Sequence, residues 1–418
     1  MLWNRLTNSL WALPIAFVIA ATILALVVVN QPLNPGNDPV WWLYSGDAPA
    51  ASGFLANLLT AMITMATLAI SITMVVLTLA AQSLGPRLIP IFMSDTRTKL
   101  MLGLFIGTVV YLLIVLRSVV GDVDRVPNLA VTLGAGLVFI SVVVLLFFVH
   151  HLARSIVADT IIDRVGAILD SWIPGTFPEQ TGSSPQTDAA IGSKSNAHPF
   201  ASTKTGYVQA IDHEGIISAA HEAGATVTLS HRPGHYVLHG DVLATIAPAS
   251  AFGDGLEESL ESTIVCGNSR TPVQDIEYPI RQLVEIALRA LSPGINDPYT
   301  ACAVIDRVTG SIARIMARGA QKSHWCDEED FVRLIVPTTQ LDGILDAAFN
   351  EIRQAGASQP AILIRLADRL GQLLAHADND QAGDIRRHLE LVRATGQRGI
   401  ADQADRTILT TRIDAALT

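Results

Sequence analysis

Apolar positions along the chain follow two regimes. Up to about residue 150 they run almost without interruption. Beyond it they recur at helical or alternating spacing. Four runs, Leu10–Val29, Phe54–Ala81, Leu100–Leu116 and Leu129–Val149, contain no Asp, Glu, Lys or Arg. A helix needs roughly 17–25 such residues to cross a bilayer. Residues 1–150 therefore predict a four-helix transmembrane domain. The first run is too long for the core of a signal peptide, and no small-residue cleavage site follows it before Asn34-Pro35-Gly36. It reads as a retained span.

Helical spacing continues past His150 through Leu152, Ile156, Ile162, Val165 and Leu169, which predicts a helical extension of the fourth span over 151–173. Pro174-Gly175 stops it. Residues 174–205 are rich in Ser, Thr, Gly and Pro and predict a flexible linker. Over 206–252, "GYVQAI" alternates, "EGIISAAHEAG" is helical, and "TVTLSHRPGHYVLHGDVLATI" reads as three short strands around Pro233-Gly234 and Gly240-Asp241. Its Pro-Gly-x-x-Val-x-x-Gly-Asp-Val-Leu rhythm resembles the barrel-sandwich fold of biotinyl and lipoyl carriers, without their acceptor lysine. Residues 253–418 predict a helical domain. Its helices start at Thr271-Pro272 and Asp297-Pro298, a short strand lies at Leu334–Pro337, and periodic stretches cover Gln340–Ala355, Pro360–His376, Gly383–Ala394 and Ala401–Leu417. The fold class is membrane α followed by cytosolic α/β: four transmembrane helices, a small β-rich barrel-sandwich-like module and a C-terminal helical bundle.

Charge sets the orientation. The loop after the second run carries Arg87, Arg97 and Lys99 against Asp95, and Arg5 precedes the first run. The loop after the first run carries only Asp38 and Asp47, with Trp41, Trp42 and Tyr44 suited to the interface. Positive charge stays in the cytosol, so both termini are expected there. Cys266, Cys302 and Cys326 lack C-x-x-C spacing and are expected to be free thiols. The net charge of −10 argues against nucleic acid as a partner.

Within the second run Asn57, Thr60, Thr64, Thr67, Ser71, Thr78 and Gln82 follow a 3-4 spacing, with Met74 filling the gap. At 100° per residue they occupy an arc of roughly 100°, and such a stripe should not face lipid. It either packs against another helix, its hydroxyls bonded back to their own carbonyls, or lines a water-filled path among several copies. At 28 residues the run rises about 42 Å, against a hydrocarbon core of about 30 Å, so it must tilt or project. No run holds the intramembrane charge that proton-coupled carriers need. Gly103 and Gly107 permit a close helix approach, such as a dimer face.

Elsewhere the chemistry is sparse. His231, His235 and His239 are spaced by four, but Pro233-Gly234 breaks the run and no carboxylate or cysteine completes a metal set. Glu277, Arg281, Glu285 and Arg289 are placed for a solvated i,i+4 ladder. Alternatively Arg281 turns to the corner at Ser292-Pro293-Gly294, where Ser292, Asn296 and the helix-capping Asp297 could hold an anion or a partner's backbone. Glycine at 294 suits a left-handed turn. There is no P-loop, G-x-S-x-G, H-E-x-x-H or G-x-G-x-x-G. No enzyme, metal or cofactor is implied.

The stretch "IRQLVEIALRALSPGINDPYTA" resembles the signature of a bacterial membrane-protein family called domain of unknown function 2254. "SITMVVLTLAAQSLGPRLIPIF", Ser71–Phe92, is similar to its second-span signature, and "GYVQAID" and "PGHYVLHGDVLATI" match its pattern. The resemblance implies this architecture and no activity. The expected function is a homo-oligomer in the lipid bilayer, channel-like, with a neutral polar path lined by the second span and a cytosolic regulatory domain. The alternative is a non-conducting scaffold or sensor whose cytosolic domain binds a partner or ligand.

Overall fold

A computed structural model describes residues 11–30, 41–121, 126–177, 196–319 and 321–418. Leu10, Arg5, Asn34-Pro35-Gly36, Asp38 and most of the expected linker lie outside them. The chain divides into two units, Met1–Ile161 and Ile162–Thr418.

The N-terminal unit is helical. Its principal helices are α1 (Ala12–Val29), α2 (Ala48–Ser83), α4 (Thr96–Gly121) and α5 (Asn128–Ser155), with a one-turn helix α3 (Ile89–Met93) between the second and third. All four are long and apolar enough to cross a membrane. Asp47 caps α2 by accepting the Ala50 amide at 3.0 Å, with Pro49 in the first turn, a usual helix start. With 36 residues, α2 is longer than its uncharged run and rises about 54 Å.

The third span, α4, carries much of the core: Phe105, Tyr111, Leu112 and Val115 are fully buried. Its polar groups are matched inside. Thr108 meets Ser141 of α5 at 3.4 Å, and the Tyr111 hydroxyl donates to the Ala130 carbonyl at 3.0 Å. Gly103 and Gly107 face α1. A Cβ on Gly103 would lie 2.9 Å from the Phe17 ring, and one on Gly107 would lie 3.3 Å from the Phe17 carbonyl. The glycine pair is thus a packing face within the chain rather than between copies. At the start of α4, Asp95 accepts from the Thr98 amide (3.0 Å) and faces His151 of α5 (2.8 Å).

The fourth span runs on to Ser155, and a separate helix, α6 (Ala158–Thr176), follows after Ile156-Val157. The expected continuous extension is therefore two helices. In the C-terminal unit, Ile162, Val165, Leu169 and Ile173 of α6 are buried. Asp170 is held by Arg307 (2.6 Å), Arg314 (2.8 Å) and Ser311 (2.7 Å). Burial works against the Asp170 charge, but these three partners keep its carboxyl below the usual carboxylate range.

The strands of this unit form two sheets. The first has order β1 (His198–Ala201), β5 (Val242–Ala247), β3 (Thr226–Leu229), β8 (Val332–Ile335), β7 (His324–Cys326); the second has order β4 (Tyr236–Val237), β2 (Gly206–Ile211), β6 (Ile264–Gly267). The described strands do not close into a barrel. The expected turns are present, with Gly234 and Gly240 at φ of 92° and 91°, a region open to glycine. Between the strands lie α7 (His213–Glu222) and α8 (Asp254–Thr263). The β-rich part extends well outside 206–252. β3 pairs in parallel with β8, Val227 opposite Leu334, so the chain returns to this sheet after α8 and two further helices.

Those helices are α9 (Glu277–Ala290) and α10 (Pro298–Arg318), followed by α11 (Leu341–Ala355), α12 (Pro360–Ala375), α13 (Asn379–Gly399) and α14 (Gln403–Leu417). Leu283, Ala287, Val304, Ile312, Leu366 and Leu389 are among their buried contacts. α9 begins at Glu277 rather than at Thr271-Pro272. Gln274 takes φ 59° and clamps Ile211, accepting its amide at 2.9 Å and donating to its carbonyl at 3.0 Å. The backbone at 274 therefore cannot be helical.

Candidate functional site

The polar stripe of α2 points out of the chain. Asn57, Thr60, Thr64, Thr67, Ser71, Thr78 and Gln82 are all exposed, and so is Met74 at 58%. The side that packs is made of Ala51, Leu55, Met62, Ala66, Ala69 and Ala80. At 100° per residue, the centres of stripe and packed side lie roughly 175° apart. The small residues let α2 sit close to its neighbours, and that docking fixes which way the hydroxyls face. Among the described residues no other helix buries them.

Three hydroxyls are satisfied locally. Thr60 donates to the Ala56 carbonyl (2.9 Å), Thr64 to that of Thr60 (3.0 Å) and Thr78 to that of Met74 (2.9 Å). Each still offers oxygen lone pairs outward. The arrangement is a neutral ladder of acceptors, flanked by exposed Ile63, Leu68, Ile70 and Val75. It can contact water, a cation's hydration shell or a second helix. It carries no group able to transfer a proton or attack an electrophile at neutral pH.

In the C-terminal unit the corner between α9 and α10 is a lock. Asp297 accepts the Tyr299 and Thr300 amides (3.1 and 3.2 Å) and the Thr300 hydroxyl (2.6 Å). The hydroxyl and amide of Thr300 hold its carboxyl below the usual range. The Asp297 amide donates to the Ala290 carbonyl at 2.7 Å, and Ser292 Oγ to the Arg289 carbonyl at 2.7 Å. Asn296, at φ 49°, makes the left-handed turn expected of Gly294. Asparagine tolerates that region better than other non-glycine residues. Gln359 Nε2 reaches Asn296 Oδ1 at 3.5 Å.

Arg281 does not join this corner. It lies 3.4 Å from Glu277, and Glu277 is no rung of a solvated ladder. Only 8% exposed, Glu277 accepts from Arg232 at 2.6 Å and faces Arg270 at 3.4 Å. Arg270 also binds Asp275, whose side chain is fully buried. Three guanidiniums thus meet two carboxylates, leaving a surplus of positive charge. Burial opposes the Glu277 charge, but Arg232, Arg270 and Arg281 pull its carboxyl below the usual range. His235 is pushed down by burial and then by Arg232. Sequence spacing does not reveal this cluster, because Arg232 and Arg270 reach Glu277 across 45 and 7 residues.

His231, His235 and His239 form no metal set among the described residues. The one group with ligand atoms close enough is His221, Asp327 and Glu329. Asp327 Oδ2 is already occupied there, accepting from Arg333 Nε at 2.6 Å and facing His221 Nδ1 at 2.9 Å. These bonds hold the Asp327 carboxyl far below its ordinary range. A cation would have to displace both partners. The three cysteines are free thiols.

Comparison with known proteins agrees with this architecture. Residues 7–372 match the profile of a family described as "Predicted membrane protein (DUF2254)". An uncharacterized protein of Mycobacterium bovis is 28% identical over 415 residues, covering 97% of this chain and 80% of its own length. An uncharacterized protein of Mycobacterium tuberculosis matches to the same extent. No solved structure matches the chain.

Proposed function

The chain belongs to the DUF2254 family of predicted membrane proteins, and on that premise we propose that it is an oligomeric channel-like protein of the bacterial inner membrane. Several copies bring their second spans together around a neutral polar path. The observation that carries this reading is the outward direction of the whole stripe. A ladder of hydroxyl and amide groups on the free side of a span is poorly matched to acyl chains. The described helices of the chain leave it exposed, so like stripes from other copies are its natural neighbours. Neutral polar linings with apolar flanks suit the passage of small hydrated solutes.

The loop with Arg87 and Arg97 faces the cytosol under the positive-inside rule, which puts both termini and the C-terminal unit there. That unit acts as a regulatory domain rather than as an enzyme.

The test is flux in liposomes containing the purified protein. Release of a small entrapped ion is expected, and Thr67→Leu and Ser71→Leu should each reduce it several-fold. Tight liposomes containing a normal oligomer would overturn conduction. They would favour the second reading, a non-conducting scaffold or sensor. The back-bonded hydroxyls of Thr60, Thr64 and Thr78 lend that reading its support, since a locally satisfied hydroxyl can also pack against a helix.

A further inference from the structure

The C-terminal unit contains a cavity of about 360 Å³ that neither the second-span path nor the helix corner uses. Its walls come from α6, the Pro233 turn, the Gln274 clamp and the segment around β7 and β8. Pockets of this size commonly take small organic ligands. Its charged lining residues are Arg232 and Lys322, and no Asp or Glu is among the residues that line it. In a chain with net charge −10, such a cavity runs against the average.

The two cations are held in different ways. Arg232 is fixed by Glu277, inside a cluster that retains positive charge after its carboxylates are counted. Lys322 is exposed, and its Nζ sits 4.5 Å from the centre of the Trp325 ring. A cation over an indole face is held in place without being neutralised. No salt bridge joins Lys322 to a carboxylate among the described residues. Its ammonium is therefore poised and uncompensated.

The same wall holds two buried polar atoms without partners, Trp325 Nε1 and His213 Nε2. The two rings lie 4.9 Å apart. Indole N–H is a donor only, so what it lacks is an acceptor. Burial lowers the pKa of His213, which favours the neutral imidazole, a form that can turn either an N–H or a lone pair to a ligand. The rest of the wall is uncharged: Trp172, Pro233, Val336 and Pro337 are apolar, and Gln274, Gln321 and Thr339 are among its neutral polar members.

We propose that this cavity binds a small organic anion, a carboxylate or phosphate group on a compact apolar or aromatic body. The charged group lies toward Lys322 and Arg232, and the body lies against Trp172 and the prolines. Aromatic carboxylates and nucleoside monophosphates share this chemistry. The ligand would be a signal read by the C-terminal unit, whether or not the spans conduct.

The experiment is isothermal titration calorimetry on the full-length protein in detergent micelles. The probes are benzoate and adenosine monophosphate, with benzamide and adenosine as their neutral counterparts. Saturable binding of at least one anion is expected, at least tenfold tighter than its neutral counterpart. Whichever anion binds better identifies the source. Lys322→Glu should weaken binding tenfold or more and Lys322→Arg should preserve it. The position is exposed, so an unchanged melting curve separates lost binding from lost folding. The proposal fails if neither anion binds at millimolar concentration. It also fails if the neutral counterparts bind equally well, or if Lys322→Glu binds like the parent protein. All three readouts are independent of liposome flux.

Discussion

Polarity inside an apolar framework is handled in opposite ways by the second span and by the cluster around Glu277. In the cluster every charge has a partner from its own chain, and Glu277 and Asp275 are buried. On the second span seven polar residues are left exposed by the other described helices. The first arrangement stabilises a fold and the second is a surface without a cover. Polar residues in a core report on the fold, whereas polar residues on the free side of a membrane helix report on what lies beyond the chain.

That contrast is sharpest in mutational cost. Glu277→Ala leaves the largely buried Arg232 without its carboxylate and Arg270 with Asp275 alone. Breaking such a pair costs about 3–5 kcal/mol. Unfolding of the C-terminal unit followed by tryptophan fluorescence should show a loss of that size, and Glu277→Gln a smaller one. A loss below about 1 kcal/mol would reduce the cluster to a surface ion pair and erase the contrast.

A buried titratable group gives the next largest effect. His388 is 1% exposed, stands edge-on to Phe349 and has Nε2 3.2 Å from Asp346. Burial, with Arg387 acting in the same sense, pushes its pKa down to about 4. Between that value and the unfolded one of about 6.5, the unfolded chain binds the extra proton. Stability from this group is therefore complete above pH 6.5 and is lost as pH falls toward 4, by about 3 kcal/mol. Melting curves at pH 7 and 4.5 should differ accordingly, and His388→Gln should flatten the difference.

Within the membrane helices the effects are smaller. Thr108→Val removes a buried hydroxyl pair with Ser141 and should cost about 1 kcal/mol in a detergent or steric-trap unfolding assay. Thr64→Val and Thr67→Val, on the outward stripe, should change the stability of a single chain by less than about 0.5 kcal/mol. They should nonetheless shift the distribution of oligomers seen by native mass spectrometry. If these two unfold the monomer as Thr108→Val does, the outward and inward faces are not different in kind.

The sequence carried these features unequally. Uncharged runs of sufficient length located all four spans, and 3-4 spacing placed the second-span stripe on one arc, because both signals are local. The pairing of β8 with β3 and the addition of β1, β6 and β7 were not legible, since strand partners far apart in sequence leave no periodic trace. Glu277 and Arg281 have the spacing of a surface ladder, and the same spacing serves a buried hub once Arg232 and Arg270 arrive from elsewhere. The start of α9 was misplaced for a related reason. Thr271-Pro272 is a sound helix start, but the Gln274 clamp on Ile211 holds the backbone elsewhere. Gly103 and Gly107 advertise a close approach without saying whose helix makes it. The Asp297 cap was legible in full, because an N-cap followed by proline acts within four residues.

The return of β8 to lie beside β3 settles where this protein can be divided. Expression of residues 206–318 alone would discard β7 and β8 and leave one margin of β3 bare, its amides and carbonyls open to any passing strand. Fragments for crystallisation, split reporters or domain swaps should keep 196–335 together, or the product will precipitate before it can be assayed.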